Sequence, residues 1–180
     1  MSEECKSLEK EAKGLGKENP TEAVAKYKQA AQCYIRHAKP KDGNNCLEKA
    51  AKILRENAKT KKDPEKALEV YRQSRDLYNQ AKKMAEAQKV ITEGHQKFVE
   101  SAKALQAEAK KMEDEASAEQ LLAKASEYAK KGQDRELARA CWIDSAEQFR
   151  KKAAGIAEPR QALETYKHAI QNFKKGENDA

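Results

Sequence analysis

Long apolar stretches are missing from this sequence of 180 residues. No segment approaches the ~18 apolar residues that a membrane-spanning helix requires, and the N-terminus, Met1-Ser2-Glu3-Glu4, lacks the apolar centre of a signal peptide. Cysteine is also scarce, and no two cysteines form a Cys-x-x-Cys pair. We therefore expect a cytoplasmic protein, in no more than peripheral contact with membranes, whose cysteines are reduced core residues. These are Cys5, Cys33, Cys46 and Cys141.

The sequence also lacks the patterns that catalysis and metal binding require. Its histidines, His37, His95 and His168, do not have the spacing of a metal site. Gly14-Leu15-Gly16-Lys17 has neither a preceding strand nor the Ser or Thr that a phosphate-binding loop needs. A cysteine nucleophile could use only Cys33 with His37, one helical turn apart, and we interpret this pair as an apolar-edge cysteine beside a surface histidine. The sequence thus predicts a protein that is not an enzyme and binds neither a metal nor a cofactor.

Charge of one sign is not segregated, although 37 Lys and Arg against 30 Asp and Glu give a net charge of +7. Acidic residues lie among the basic ones almost everywhere, which is typical of a solvated, ion-paired surface. A nucleic-acid interface would need a stripe of a single sign, so nucleic acid is disfavoured as a partner. The functional interpretation that remains is an acidic partner, either a protein or lipid headgroups.

What the sequence does contain is one helical pattern in three copies, which begin at Pro20, Pro64 and Pro159. Each copy has Ala three residues after the Pro, an aromatic residue at +7, Ala or Ser at +10 and a second aromatic residue at +14. Pro is well tolerated at the first position of a helix, and this spacing places the other four residues on one face. Each copy therefore predicts one amphipathic helix.

A longer repeat joins two of these copies to the helices that precede them. Cys46 and Pro64 are followed 95 residues later by Cys141 and Pro159 (141 − 46 and 159 − 64). A fixed period of several tens of residues indicates a helical solenoid. We expect an all-α fold, a right-twisted solenoid of antiparallel helix hairpins with about eight helices and its aromatic residues largely inside. These aromatic residues are Tyr27, Tyr34, Tyr71, Tyr78, Tyr128, Trp142, Phe149, Tyr166 and Phe173.

The helices are predicted to form one repeat domain over 1–180. It begins with a capping helix and loop at 1–16, continues as repeats at 17–175 and ends in a disordered polar tail at 176–180. The segment 40–43, Pro-Lys-Asp-Gly, is expected to separate two helices, the second of which starts at Asn44 or Asn45. The stretch 84–112 predicts two helices rather than one, because Gly94 would cost about 1 kcal/mol in a helix interior.

The segment 63–74, Asp-Pro-Glu-Lys-Ala-Leu-Glu-Val-Tyr-Arg-Gln-Ser, resembles the second helix of a tetratricopeptide repeat. Within that class the sequence resembles the soluble NSF attachment proteins, which share the Asp-Pro-x-x-Ala start, the paired aromatic residues and a loop like Gly14-Leu15-Gly16. The resemblance implies a non-enzymatic adaptor that lays a basic face along a SNARE-type helical bundle and links it to a hexameric AAA ATPase in vesicle trafficking. It also implies that Leu15 contacts a membrane. The alternative is a general tetratricopeptide-type scaffold that binds an extended peptide or a partner protein.

Six basic residues are candidates for binding an acidic partner. Lys52, Arg55 and Lys59 follow one another at i+3 and i+4, so they form one row along their helix. In the tetratricopeptide register this helix and its duplicate line the concave face, and a cation between them would continue the band. The alternative is that these cations are solvated and paired with neighbouring glutamates. The candidates are Lys52, Arg55, Lys59, Lys103, Arg139 and Arg150.

Overall fold

A computed structural model describes residues 2–16 and 18–178, and in these ranges the chain forms eight α-helices and no strand. Short connections join the helices, so successive helices that pack together run antiparallel. The prediction of an all-α fold of about eight helices is confirmed. The helices are α1 (Ser2–Leu15), α2 (Pro20–Arg36), α3 (Pro40–Thr60), α4 (Pro64–Gln80), α5 (Met84–Ala109), α6 (Glu115–Lys131), α7 (Arg135–Gly155) and α8 (Pro159–Asn178).

Each of the four prolines is the first residue of a helix. A proline lacks only an N–H group that would have no partner in the first turn. The side chain before it can satisfy the next N–H groups, and Asp63 accepts hydrogen bonds from the backbone of Glu65 at 2.9 Å and of Lys66 at 3.4 Å. Proline therefore marks where these helices begin.

Because proline opens these helices, the prediction that 40–43 separates two helices is wrong. Pro40 opens α3 instead of ending α2, and Gly43 lies buried inside α3. A Cβ atom at Gly43 would come within 3.0 Å of the carbonyl oxygen of Ala31 and 2.9 Å of Cγ1 of Ile35. The glycine thus allows α2 and α3 to approach each other closely.

Gly94 has a similar role, and the predicted division of 84–112 into two helices is wrong. α5 is one helix of 26 residues, Met84–Ala109. A Cβ atom at Gly94 would lie 2.8 Å from Cδ1 of Leu68 and 3.4 Å from Cδ2 of Tyr71, both in α4. The close packing of α5 on α4 offsets the low helix propensity of glycine.

The chain divides into two compact units, and the boundary falls inside α5, after Gly94. The first unit packs α1–α4 and the start of α5 around one apolar core, and the second unit has its own core. Because α5 continues through the boundary, the interpretation of 1–180 as a single repeat domain stays a prediction.

The two units are copies of one pattern, and the copy extends further than the sequence motifs indicated. α2 and α6 have 17 residues each, α3 and α7 have 21 each, and both pairs are offset by 95 at both ends (115 − 20 and 131 − 36, 135 − 40 and 155 − 60). α4 and α8 begin at the same offset, at Pro64 and Pro159. Residues that are 95 positions apart can therefore be compared as structural equivalents.

The aromatic residues are inside in the first unit and only partly so in the second. Tyr27, Tyr34, Tyr71 and Tyr78 are all buried, as expected. In the second unit Tyr128, Trp142, Phe149 and Phe173 are half-buried, and Tyr166 is exposed. The prediction is wrong for Tyr166, because none of the described helices covers the face of α8 on which it lies.

Two of the four cysteines are bonded to each other. A disulfide joins Cys5 of α1 to Cys33 of α2, so the expectation that both are reduced is wrong. Their proximity arises from the antiparallel packing of the two helices, since they are 28 residues apart in sequence and no local spacing links them. Cys46 and Cys141 are free and buried, as expected.

The C-terminal helix is longer than predicted. α8 continues to Asn178, so the expected disordered tail at 176–180 is wrong for 176–178, and 179–180 lie outside the described residues. Gly176 is buried, and a Cβ atom there would lie 3.3 Å from Cβ of Trp142. Packing against α7 therefore holds the last turn of α8 in place.

Candidate partner-binding surface

A groove of about 860 Å³ opens on the first unit, where the end of α1 and the start of α2 face α3. The part contributed by α3 is a stripe at helical spacing that starts at Lys49, so one face of that helix forms a wall of the groove. Tyr27 and Ile53 supply apolar surface, and three lysines stand against a single glutamate. The lining residues are Lys13, Gly16, Pro20, Tyr27, Lys49, Lys52, Ile53, Glu56, Asn57 and Thr60.

Two of the three lysines in the groove are held by carboxylates. Lys49 donates to Glu9 at 2.5 Å, and this hydrogen bond is the main reason that the pKa of Glu9 is lowered. Lys52 contacts Glu48 at 2.7 Å, one helical turn away, yet most of its side chain is exposed. The groove therefore carries cations that are held in position and still accessible to a partner.

The row that the sequence predicted along α3 is divided by the fold. Lys52 lines the groove, but Lys59 lies outside it and contacts Glu56 at 2.7 Å. Arg55 is turned toward α5. Only one member of the predicted row thus belongs to the groove.

Arg55 forms a network with two glutamates of α5. It donates from Nε to Oε2 of Glu93 at 2.8 Å, from Nη2 to Oε1 of Glu93, and from Nη1 to Glu86 at 3.3 Å. Only 16% of the Arg55 side chain and 27% of the Glu93 side chain are exposed. The carboxylate raises the pKa of Arg55, and the guanidinium lowers the pKa of Glu93. Arg55 therefore joins helices within the unit, which limits its use as a contact for a partner.

The three candidates in the second unit lie in different surroundings. Lys103 lines a cavity of about 530 Å³ with residues that include Gln96 and Asp134. Arg139 is exposed on α7. Arg150 is exposed and donates to Glu147 of its own helix at 2.7 Å. Within the described residues, Lys103 and Arg139 have no ion pair with a carboxylate.

Leu15, the predicted membrane contact, is the last residue of α1 and is half-buried. Its carbonyl oxygen accepts hydrogen bonds from the backbone of Glu18 and of Asn19, both at 3.1 Å. Leu15 precedes Gly16, which lines the groove, and its contact with a membrane stays a prediction.

One group of side chains has the atom types of a metal site. The sulfurs of Cys5 and Cys33 and a ring nitrogen of His37 lie within 4.8 Å of one another. The two sulfurs are bonded to each other, so neither is the thiolate that a metal would need. Burial raises the pKa of the Cys46 thiol to about 11 and that of Cys141 to about 12, which makes both poor nucleophiles at neutral pH.

Sequence reasoning missed most of the groove. The signal was present in α3, where Lys49, Ile53 and Asn57 recur every four residues on a second face beside Lys52. The part contributed by the α1–α2 turn had no such signal, because its position depends on how α1 packs.

Paired helix hairpins that recur with a fixed period define a helical-repeat protein, a class that acts by binding other proteins. The family model of the soluble NSF attachment proteins, SNAP, matches residues 2–107, and the chain belongs to that family. It is therefore a helical adaptor of the protein-interaction type.

Other comparisons add little. No curated protein sequence matches the chain. A solved structure described as "DHF58 filament" is 18% identical over 99% of this chain and 96% of its own, with a TM-score of 0.27, which is too low to indicate a shared fold. None of the helices in the described ranges has both the length and the apolar character to cross a membrane.

Proposed function

We propose that this adaptor binds acidic SNARE-type helical bundles through the groove of the first unit and links them to a hexameric AAA ATPase in vesicle trafficking. Membership of the SNAP family supports this function. The observation that carries it is the groove itself, in which Lys13, Lys49 and Lys52 surround the apolar surface of Tyr27 and Ile53.

The chemistry of the groove suits the side of a coiled-coil bundle. Such a bundle presents rows of carboxylates beside partly exposed aliphatic side chains. Each exposed charge pair contributes only about 0.2–1 kcal/mol, so useful affinity requires several pairs acting together. Lys103 and Arg139 of the second unit stay candidate contacts for an acidic partner, since among the described residues neither is in an ion pair with a carboxylate.

We propose a weak membrane contact at the α1–α2 turn. Leu15 is half-buried there, and Lys13 is exposed two residues earlier. A lysine near an anionic leaflet contributes about 1 kcal/mol. One leucine and one lysine support peripheral contact only.

The test replaces cations of the groove that do not hold the unit together. Lys13→Glu with Lys52→Glu should weaken binding of a purified acidic SNARE-type bundle at least tenfold and reduce the salt dependence of what remains. The matched control is Lys66→Glu with Arg72→Glu, which changes the charge equally at exposed positions of α4. Arg55 is left intact because its loss would destabilise the fold. Equal affinities for the two double variants would refute the proposed site.

Stimulation of the ATPase is measured separately, with the bundle and a purified hexameric AAA ATPase. We expect the groove variant to lose stimulation in parallel with bundle binding. Stimulation that persists without bundle binding would contradict the linking role.

Capture of an extended peptide is the second candidate function. It is favoured by the hydrogen-bonding side chains that the same groove collects, Glu56, Asn57 and Thr60 among them. An acidic peptide held extended by prolines distinguishes the two functions. If it binds more tightly than the bundle and depends on the same lysines, the scaffold function replaces the adaptor function.

A further inference from the structure

A cluster of three possible metal ligands lies where α1 packs on α2 in the first unit. The sulfurs of Cys5 and Cys33 and a ring nitrogen of His37 are all within 4.8 Å of one another. Cys5 belongs to α1, Cys33 lies on α2, and His37 caps the C-terminal end of α2. Cys33 and His37 are one helical turn apart, so both side chains lie on the side of α2 that faces Cys5.

The repeat itself does not require these residue types. In the second unit the equivalents of Cys33 and His37 are Tyr128 and Gly132 (128 − 33 and 132 − 37). There α5 and α6 meet through an aromatic contact, with the ring centroids of Phe98 and Tyr128 5.4 Å apart. Aromatic packing thus occupies, in the second unit, the position where the first unit places sulfur and imidazole atoms.

Reduction of the disulfide turns this cluster into a set of metal ligands. The Cys5–Cys33 disulfide takes up two electrons and two protons from a dithiol reductant, which itself becomes a disulfide. A metal ion that binds then displaces the two thiol protons into the solvent, so that its ligands are two thiolates and a neutral imidazole. The Cα atoms of the two cysteines are 5.5 Å apart. Rotation of their side chains lets the sulfurs separate to the roughly 3.8 Å that two sulfur ligands of one tetrahedral zinc ion require.

We infer that the reduced protein binds one zinc ion through the sulfurs of Cys5 and Cys33 and a ring nitrogen of His37. Thiolate and imidazole ligands suit zinc, whereas calcium and magnesium prefer oxygen ligands. Three protein ligands leave the fourth position of a tetrahedral ion to a water molecule. His37 is half-buried, so the ion is accessible to solvent on that side.

Zinc thereby links α1 to α2 when the disulfide is open. α1 carries Glu9, which accepts a hydrogen bond from Tyr34 of α2 at 3.1 Å and also holds Lys49 of the groove. Either link keeps this helix in place, whereas the reduced chain without metal retains only its packing and its surface ion pairs. The zinc site does not depend on the function proposed for the groove, because the two share no residue.

The first experiment uses the whole protein, reduced with a phosphine and freed of metal, and cobalt(II) as a spectroscopic substitute for zinc. We expect one cobalt ion per chain, with a sulfur-to-cobalt charge-transfer band and the intense visible bands of a tetrahedral thiolate site. Zinc should displace the cobalt, and the oxidised protein should show neither set of bands. The absence of these bands from the reduced protein, or equal bands in the oxidised protein, would overturn the inference.

Single substitutions locate the site. In competition with a chromophoric chelator, Cys5→Ser and His37→Gln should each weaken zinc binding to the reduced protein at least tenfold. The matched controls are Cys141→Ser and His95→Gln, which remove the same kinds of group elsewhere and should leave the affinity unchanged. Circular dichroism verifies that each variant keeps its helices. Equal affinities of His37→Gln and His95→Gln would refute the proposed ligand set.

Thiol alkylation tests the site in the parent protein, without any substitution. Zinc should slow the reaction of Cys5 and Cys33 with iodoacetamide at least tenfold, because a metal-bound thiolate is a weaker nucleophile, and should leave that of Cys141 unchanged. Peptide mass mapping assigns each rate to its cysteine. Rates at Cys5 and Cys33 that do not change with zinc would contradict metal binding there.

Discussion

The ion pair between Arg55 and Glu93 should stabilise the first unit more than an exposed ion pair would. An exposed ion pair contributes about 0.2–1 kcal/mol, and removing one partner of a fully buried pair costs about 3–5 kcal/mol. The Arg55 and Glu93 side chains are mostly buried and joined by two hydrogen bonds, while Glu86 remains as a second acceptor. We therefore expect Glu93→Gln to lower the free energy of unfolding by about 1–3 kcal/mol.

Urea unfolding of single and double variants measures the coupling of the pair, with Arg55→Met as the second substitution. The repeat provides a matched control, because Arg150 is the equivalent of Arg55 and pairs with Glu147 at an exposed site. We expect a coupling of more than about 1 kcal/mol for the first pair and less than about 0.5 kcal/mol for the second. Equal couplings would show that the contact with α5 adds nothing to an ordinary surface pair.

The same pair predicts a pH dependence. Hydrogen bonds from Arg55 lower the pKa of Glu93 below its ordinary value of 4.5 in the folded protein. As the pH falls, the unfolded chain therefore binds the proton first, and the stabilisation is complete above about pH 5 and lost as the pH falls through the folded-state pKa. The difference in stability between the parent and Glu93→Gln should accordingly shrink in acid. A constant difference down to pH 3 would contradict the reasoning.

Three further predictions concern packing and the disulfide. Tyr71→Ala should cost about 3–5 kcal/mol in urea unfolding and its equivalent Tyr166→Ala less than about 1 kcal/mol, and equal losses would mean that α5 does not cover the first. Gly94→Leu should cost about 1–3 kcal/mol by overpacking α4, and a rise in melting temperature would contradict the close contact. Reduction of Cys5–Cys33 should cost about 3–4 kcal/mol for a loop of this length, and an unchanged melting temperature in a reducing agent would contradict a disulfide in the folded protein.

The sequence was sufficient to predict the helices and their antiparallel order, because prolines and a period-3.6 stripe are local signals. It was insufficient to predict which glycines lie inside a helix. Gly43 and Gly94 both lower helix propensity, and both are inside helices because a neighbouring helix approaches them. At Gly94 the neighbour is Leu68, 26 residues earlier (94 − 68), and no local pattern indicates that contact.

The candidate site shows the same division between local and distant causes. The contact of Lys52 with Glu48 follows from their i,i+4 spacing. It agrees with the alternative prediction that these cations pair with neighbouring glutamates. The contact of Arg55 with Glu93 spans 38 residues and depends on the packing of α5. Spacing alone therefore predicted one row of three cations. In the structure Lys52 lines the groove, whereas Arg55 binds Glu93 of α5 within the unit.

The equivalent positions of the two units also show what holds α8 against its neighbouring helices. Leu77 is part of the apolar core of the first unit, and its equivalent Asn172 is buried in the second (172 − 77 = 95). The Asn172 amide donates to Ser145 of α7 at 3.0 Å and to Glu119 of α6 at 2.9 Å. A buried amide is stable only where such partners are fixed, so these hydrogen bonds set the position of α8 against two helices from its inner side. The inner contacts thus hold α8 in place against α6 and α7.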